Sequence, residues 1–183
     1  MNDKILDPKK VRAKKMMLLF GLLSITMTFA GLTSAYIVSK GRPDWLVDFE
    51  LPVLFFYSTF LLAVSSITIQ IAKYNLGKNK SKNEILIWLY LTLILGIIFC
   101  ILQFFSFKSL IEMGYFFAGA QSTITTSFIY VLTFLHAVHL FAGIIVLVVL
   151  IFNTTKDKYR VNKLGFNLGV IFWHFLDILW LYL

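Results

Sequence analysis

Cysteine is nearly absent from this sequence: Cys100 stands alone among 183 residues and lies inside an apolar run. That excludes an internal disulfide framework and any paired-thiol motif. Histidine occurs three times, and nine acidic residues face seventeen Lys and Arg. Three histidines are too few for a membrane desaturase, and no HExxH motif is present for a zinc protease. No GxSx turn offers a nucleophilic serine. No alternating strand pattern precedes a glycine-rich loop, so phosphate cradles of the nucleotide-binding kind are excluded. There is no internal repeat either, which removes inverted-repeat transporter architecture.

Charge as a whole is sparse, at 14% of residues, while 59% are hydrophobic. Soluble domains hold about 25% and about 45–50% respectively. With a mean hydropathy of +0.83, the composition predicts an all-α integral membrane protein. Five runs reach the roughly 20 residues needed to cross a bilayer: about 16–38, 51–72, 85–107, 128–152 and 164–183. They predict one transmembrane domain over 1–183, a bundle of five helices. The basic N-terminus precedes a run too long for a signal-peptide core, and no small-residue cleavage site follows it.

The basic residues are unevenly placed. Six lie in the N-terminal arm, four between the second and third runs (Lys73, Lys78, Lys80, Lys82), and four before the last (Lys156, Lys158, Arg160, Lys163). Lys40, Arg42 and Lys108 fall in the other two loops. The positive-inside rule therefore predicts a cytoplasmic N-terminus and a C-terminus on the outer side. The net charge of +8 follows from this topology, with anionic lipid as its counterpart, and requires no nucleic acid.

Small residues mark expected helix contacts: Gly31 with Ala35 and Ala30 with Ser34 in the first span, Gly143 in the fourth, Gly165 and Gly169 in the fifth. The loop holding Pro43, Asp44, Trp45, Asp48 and Glu50 is locally acidic, a solvated loop or a face for a basic partner. Tyr115, Phe116 and Phe117 are expected at headgroup level. Gln70 and Gln103 are expected as buried amides bonding between helices.

Ionisable groups inside the apolar runs carry the sharpest signal. His136 and His139 are three apart in the fourth span, and His174 and Asp177 three apart in the fifth. At about 1.5 Å per residue, His136 and His174 both fall near the midplane. Each ionised group there costs roughly 2.5–3.5 kcal/mol, so partners are expected. One solution is a hydrogen-bonded His–Asp cluster joining the last two spans, without a cofactor. A second is a b-type haem gripped by His174 and either His136 or His139. A zinc set of two His and one distant Asp is poorer geometry.

Several stretches resemble a family, subunit III of the haem–copper terminal oxidases, typified by cytochrome c oxidase. They are FAGLTSAYIV, LTLILGIIFCILQ, FIYVLTFLHAVHLFAG and GFNLGVIFWHFLDILWLYL. The pattern H-x-x-H-x-x-x-G followed about thirty residues later by W-H-F-x-D-x-x-W is specific when both occur in order. The chain looks like the short five-helix form.

The resemblance implies a non-catalytic subunit with no haem or copper of its own, those cofactors belonging to partner subunits. It implies packing beside subunit I, with subunit II in the complex, phospholipid binding, and support of proton uptake and enzyme lifetime. Cytochrome c, or quinol, would donate electrons for O2 reduction in a bacterial inner membrane. His136, His139, His174 and Asp177 match motif positions, where the implied role is interhelical bonding. Arg160 and Lys163 are expected near a lipid phosphate. Ile25 and Asn167 stand where the family often has acids, which favours scaffolding over proton handling. An accessory subunit of a nitric oxide reductase and a small b-haem quinone-linked anchor remain as alternatives.

Overall fold

The computed structural model describes residues 7–43, 45–46, 52–119 and 122–183, without the side chains of residues 160 and 161. Its elements are α1 (Pro8–Val38), a 3-10 turn (Ser39–Gly41), α2 (Leu54–Gly77), α3 (Lys82–Glu112), α4 (Ile124–Thr155), the short α5 (Lys158–Val161) and α6 (Leu164–Tyr182). Five of these are long and apolar enough to span a membrane, and the described residues include no strand.

The helices begin and end where local chemistry permits. Asp7 caps α1 by accepting from the Lys9 amide, with Pro8 in the first turn. Ser81 does the same for α3 through the Glu84 amide. A reciprocal Thr123–Thr126 capping box opens α4. Gly114, at φ 84, ends α3 in the left-handed region that glycine enters freely. Four helices overrun the expected spans: α1 begins at Pro8 rather than Met16, and α3 and α4 run further at both ends. Exposed lysines such as Lys9, Lys14 and Lys108 are no obstacle to helix, because hydropathy reports the bilayer and not the backbone.

α2, α3, α4 and α6 close a ring in which each packs on its two neighbours. α1 leans on α6 and α4 from outside, chiefly through Phe29, which is fully buried with Leu132 and Leu179. The small-residue expectation divides along this line. A methyl group at Gly143 would lie 2.7 Å from Leu176 Cδ1 and 3.3 Å from the Trp173 ring. At Gly169 it would meet Leu150 at 2.9 Å, and at Gly165 the Tyr159 ring at 3.2 Å. A methyl group at Gly31 would meet no described residue within 4 Å, and Ala30, Ser34 and Ala35 are exposed. The expected packing role of Gly31 is therefore corrected: α1 turns a different face to the bundle. Gly96, which sequence spacing did not single out, is the tight one on α3: a methyl group there would lie 2.8 Å from Trp173 Cη2.

The loops at the α2–α3 end are tied across the bundle. Lys82 Nζ donates to the Thr155 carbonyl and pairs with Asp157 at 3.3 Å. Lys163 Nζ donates to Asn79 Oδ1 at 3.1 Å. Asn79 and Asp157, the lysines' side-chain partners, hold positive φ values of 53 and 54. Tyr159 sits over Gly165 and accepts from Asn153 Nδ2; burial pushes its hydroxyl up from the usual tyrosine range, and that bond opposes the rise.

These contacts distinguish two glycine-to-valine changes. Gly143→Val should destabilise the detergent-solubilised chain by about 1–3 kcal/mol through overpacking. Gly31→Val should stay within about 0.5 kcal/mol of wild type. The fraction of monodisperse protein surviving a heating series measures both.

Candidate functional site

The polar interior is centred on α2, not on the α4–α6 pair. Its Ser58, Thr59, Ser65, Ser66 and Thr68 recur one and two turns apart, which sets their hydroxyls along the side facing α3 and α6. Trp173 Nε1 donates to Ser65 Oγ at 3.2 Å and Trp180 Nε1 to Thr59 Oγ1 at 3.0 Å. Gln103 Nε2 on α3 donates to Ser58 Oγ at 2.9 Å, and Thr68 meets Thr92 at 2.8 Å. Sequence reasoning missed this hub. The signal was there in Ser58–Thr59 and Ser65–Ser66, two pairs seven residues apart.

His174 belongs to the same set. Its Nε2 is 3.2 Å from Gln70 Oε1 and its Nδ1 is 2.6 Å from Ser66 Oγ. An amide oxygen only accepts, so Nε2 carries the proton and Nδ1 accepts from the Ser66 hydroxyl. Gln103 is buried at 3% exposure. Gln70 is exposed on the helix surface, contrary to the expected burial, although it does bond between helices.

The expected hydrogen-bonded cluster of His136, His139, His174 and Asp177 is not formed. His139 Nδ1 donates to the Leu135 carbonyl one turn back at 2.7 Å, and its ring packs on Phe29 of α1. His136 is fully buried between Phe99, at 6.2 Å between centroids, and Trp180, at 5.0 Å. Neither of its ring nitrogens, nor either oxygen of Asp177, has a hydrogen-bond partner among the described residues. Asp177 lies toward α2, within electrostatic reach of Ser66. The physical reason is angular. Residues three apart on a helix differ by about 60° around the axis, enough to send His136 to α3 and α6 and His139 to α1.

No group of three His, Cys, Asp or Glu side chains among the described residues could share a metal ion. Of the two expected lipid-headgroup residues, the Arg160 side chain lies outside the described residues, and Lys163 bonds to Asn79. Asp44, Asp48 and Glu50 of the acidic loop are also outside them. Trp45 is described and packs on Tyr36 at 4.9 Å.

Two histidine variants separate these environments. His174→Leu strips Ser66 and Gln70 of their partner and should lower stability by about 1–3 kcal/mol. His136→Leu removes a polar group that has no partner among the described residues and should stay within about 1 kcal/mol of wild type. Thermal survival in detergent compares the two directly.

Residues 14–183 match the family described as cytochrome c oxidase subunit III. Among similar proteins is the cytochrome bo(3) ubiquinol oxidase subunit 3 of Buchnera aphidicola, 36% identical over 135 residues. That alignment covers 71% of this chain and 66% of the relative, so it spans just under two thirds of that protein. The cytochrome c oxidase subunit 3 of Bacillus sp. PS3 is 29% identical over 86% of this chain and 76% of its own length. The bo(3) subunit 3 of Pseudomonas aeruginosa is 31% identical over 87% and 77%. With five helices able to span a bilayer and bacterial relatives of this kind, the chain is a multi-pass protein of the bacterial inner membrane. The family match, over all but the first thirteen of its 183 residues, makes this chain a member of the cytochrome c oxidase subunit III family.

Proposed function

We propose that this chain is a non-catalytic subunit III of a proton-pumping respiratory oxidase, in which it stabilises the catalytic subunit and binds phospholipid. The complex reduces O2 to water at haem and copper held by subunits I and II, with cytochrome c as donor. The N-terminus and the basic loops face the cytoplasm, where anionic lipid meets them.

One observation supports the non-catalytic part of this reading above others: the interior histidines turn to different neighbours instead of to a shared site. Both ring nitrogens of His174 are engaged by α2, and His136 is packed against Phe99 and Trp180. A b-type haem needs two imidazoles facing each other across the porphyrin, and these two turn to different neighbours. That weighs against the haem-anchor alternative. A quinol-oxidising complex is the second reading, favoured by the ubiquinol oxidase names of the Buchnera and Pseudomonas relatives.

Purification through a tag on this chain, from the membranes of its own host, tests the reading. We expect it to bring down an assembly that consumes O2, and the chain released from that assembly should show no Soret band. Recovery with a nitric oxide-reducing complex, or a haem spectrum in the released chain that His174→Ala abolishes, would overturn it. Oxidation of reduced cytochrome c against quinol by the same preparation decides the donor.

A further inference from the structure

α1 and α2 both rest on α6 yet scarcely touch each other, so a cleft opens between them with α6 as its floor. Where α1 and α6 finish and α2 begins, it widens into a cavity of about 500 Å3. Pockets for small organic ligands measure about 300–1,000 Å3. Tyr36, Phe55, Phe56, Trp180 and Tyr182 give this one aromatic walls, and no Lys, Arg, Asp or Glu side chain is among the described residues that line it. Tyr36 is two residues from the end of α1 and Trp180 two from the end of α6. The cavity therefore sits at the edge of the hydrocarbon, where amphipathic rings collect.

Thr133 of α4 is 6% exposed and lines the cavity. A threonine inside a helix commonly turns its hydroxyl back to the carbonyl one turn before it, as Thr33, Thr59, Thr92 and Thr154 do here. Thr133 does not: its hydroxyl bonds to no described residue, and neither does that of Tyr36. The neighbouring hydroxyls are committed. Thr33 donates to the Phe29 carbonyl and so accepts from the Tyr182 hydroxyl at 2.8 Å. Thr59 donates to the Phe55 carbonyl and accepts from Trp180 Nε1. Among the described residues the cavity thus offers two uncommitted donors and no cation. A buried donor without an acceptor is costly, so the chemistry asks for a neutral, flat ligand that carries acceptors.

We propose that the cavity holds the ring of a membrane quinone, its carbonyl oxygens accepting from the Thr133 and Tyr36 hydroxyls and its isoprenoid tail leaving between α1 and α2 into the lipid. A quinone brings acceptors, a flat face for the aromatic walls and no charge. A phospholipid phosphate would find no positive side chain among the described lining residues, and acyl chains give the two donors no acceptor. The site goes beyond the subunit reading above. It is a holding place in this chain, and it stands whether the complex takes electrons from cytochrome c or from quinol.

The test illuminates a photo-reactive azidobenzoquinone with a decyl tail, bound to the tagged, detergent-purified chain together with the subunits it retains, and maps the label by mass spectrometry. Label is expected in peptides carrying Tyr36 or Thr133, displaced by decylubiquinone and not by phosphatidylglycerol. Thr133→Val, which keeps the shape of the side chain, should lower that labelling roughly fivefold through one lost hydrogen bond and leave the yield of the preparation unchanged. Tyr36→Phe is the second variant, with the same fall expected. Tyr57→Phe, exposed on α2 and outside the cavity, should change nothing. Label that phosphatidylglycerol displaces equally well, that falls elsewhere in the chain, that both hydroxyl variants leave intact, or that does not form would each overturn the inference. The subunit reading is judged by which proteins co-purify and survives all four results.

Discussion

The indole of Trp173 is the contact on which the other helices of the ring are set. It is 1% exposed and touches three helices at once. Its nitrogen is bonded to Ser65 on α2, and its ring edge lies against Gly96 on α3 and Gly143 on α4. Lipid removes the hydrophobic drive between helices, so association depends on close packing and interhelical hydrogen bonds. Trp173 supplies both at one level of the bundle. Two glycines on two different helices are needed because the ring fills the space a side chain would take.

The rest of the interior follows the same logic. Next to Trp173, His174 bonds α2; one and two turns on, Asp177 and Trp180 project toward α2 hydroxyls or into the ring, while Phe175 and Leu179 turn to α1. A single 19-residue helix thereby assigns separate faces to α2, α4, α1 and the open cleft. α1 shares little of this polar bonding: Thr33 with Tyr182 at 2.8 Å is its side-chain tie to α6. The protein is a tightly bonded ring of four helices with a fifth held at its side.

The spans were legible because an uninterrupted apolar run of bilayer length is stable in little besides a membrane. Their ends were not, since Lys9–Lys15 and Lys108 sit on exposed helical surface where a charge neither breaks nor caps the helix. The importance of His174 was visible from its cost at the midplane, but its partners were not. Serine and threonine in a membrane helix can bond their own backbone, as Ser58 and Ser65 also do toward Phe55 and Leu62. Their spacing therefore marks a polar stripe on α2 but does not name the side chains that meet it. Spacing was also a poor guide to His136 and His139, which share a stripe in sequence yet face different helices. Gly31 and Gly143 looked equivalent as residues, and only the placement of α1 outside the ring separates them.

The wedging of Trp173 against Gly96 is tested most directly by a double-mutant cycle pairing Gly96→Ala with Trp173→Phe, read as thermal stability of the detergent-solubilised chain. The smaller ring lacks the atoms that an alanine methyl would strike, so the alanine should be harmful with tryptophan present and nearly harmless with phenylalanine. The expected coupling is about 1–2 kcal/mol. Effects that add to within about 0.5 kcal/mol would contradict a bundle organised around this ring.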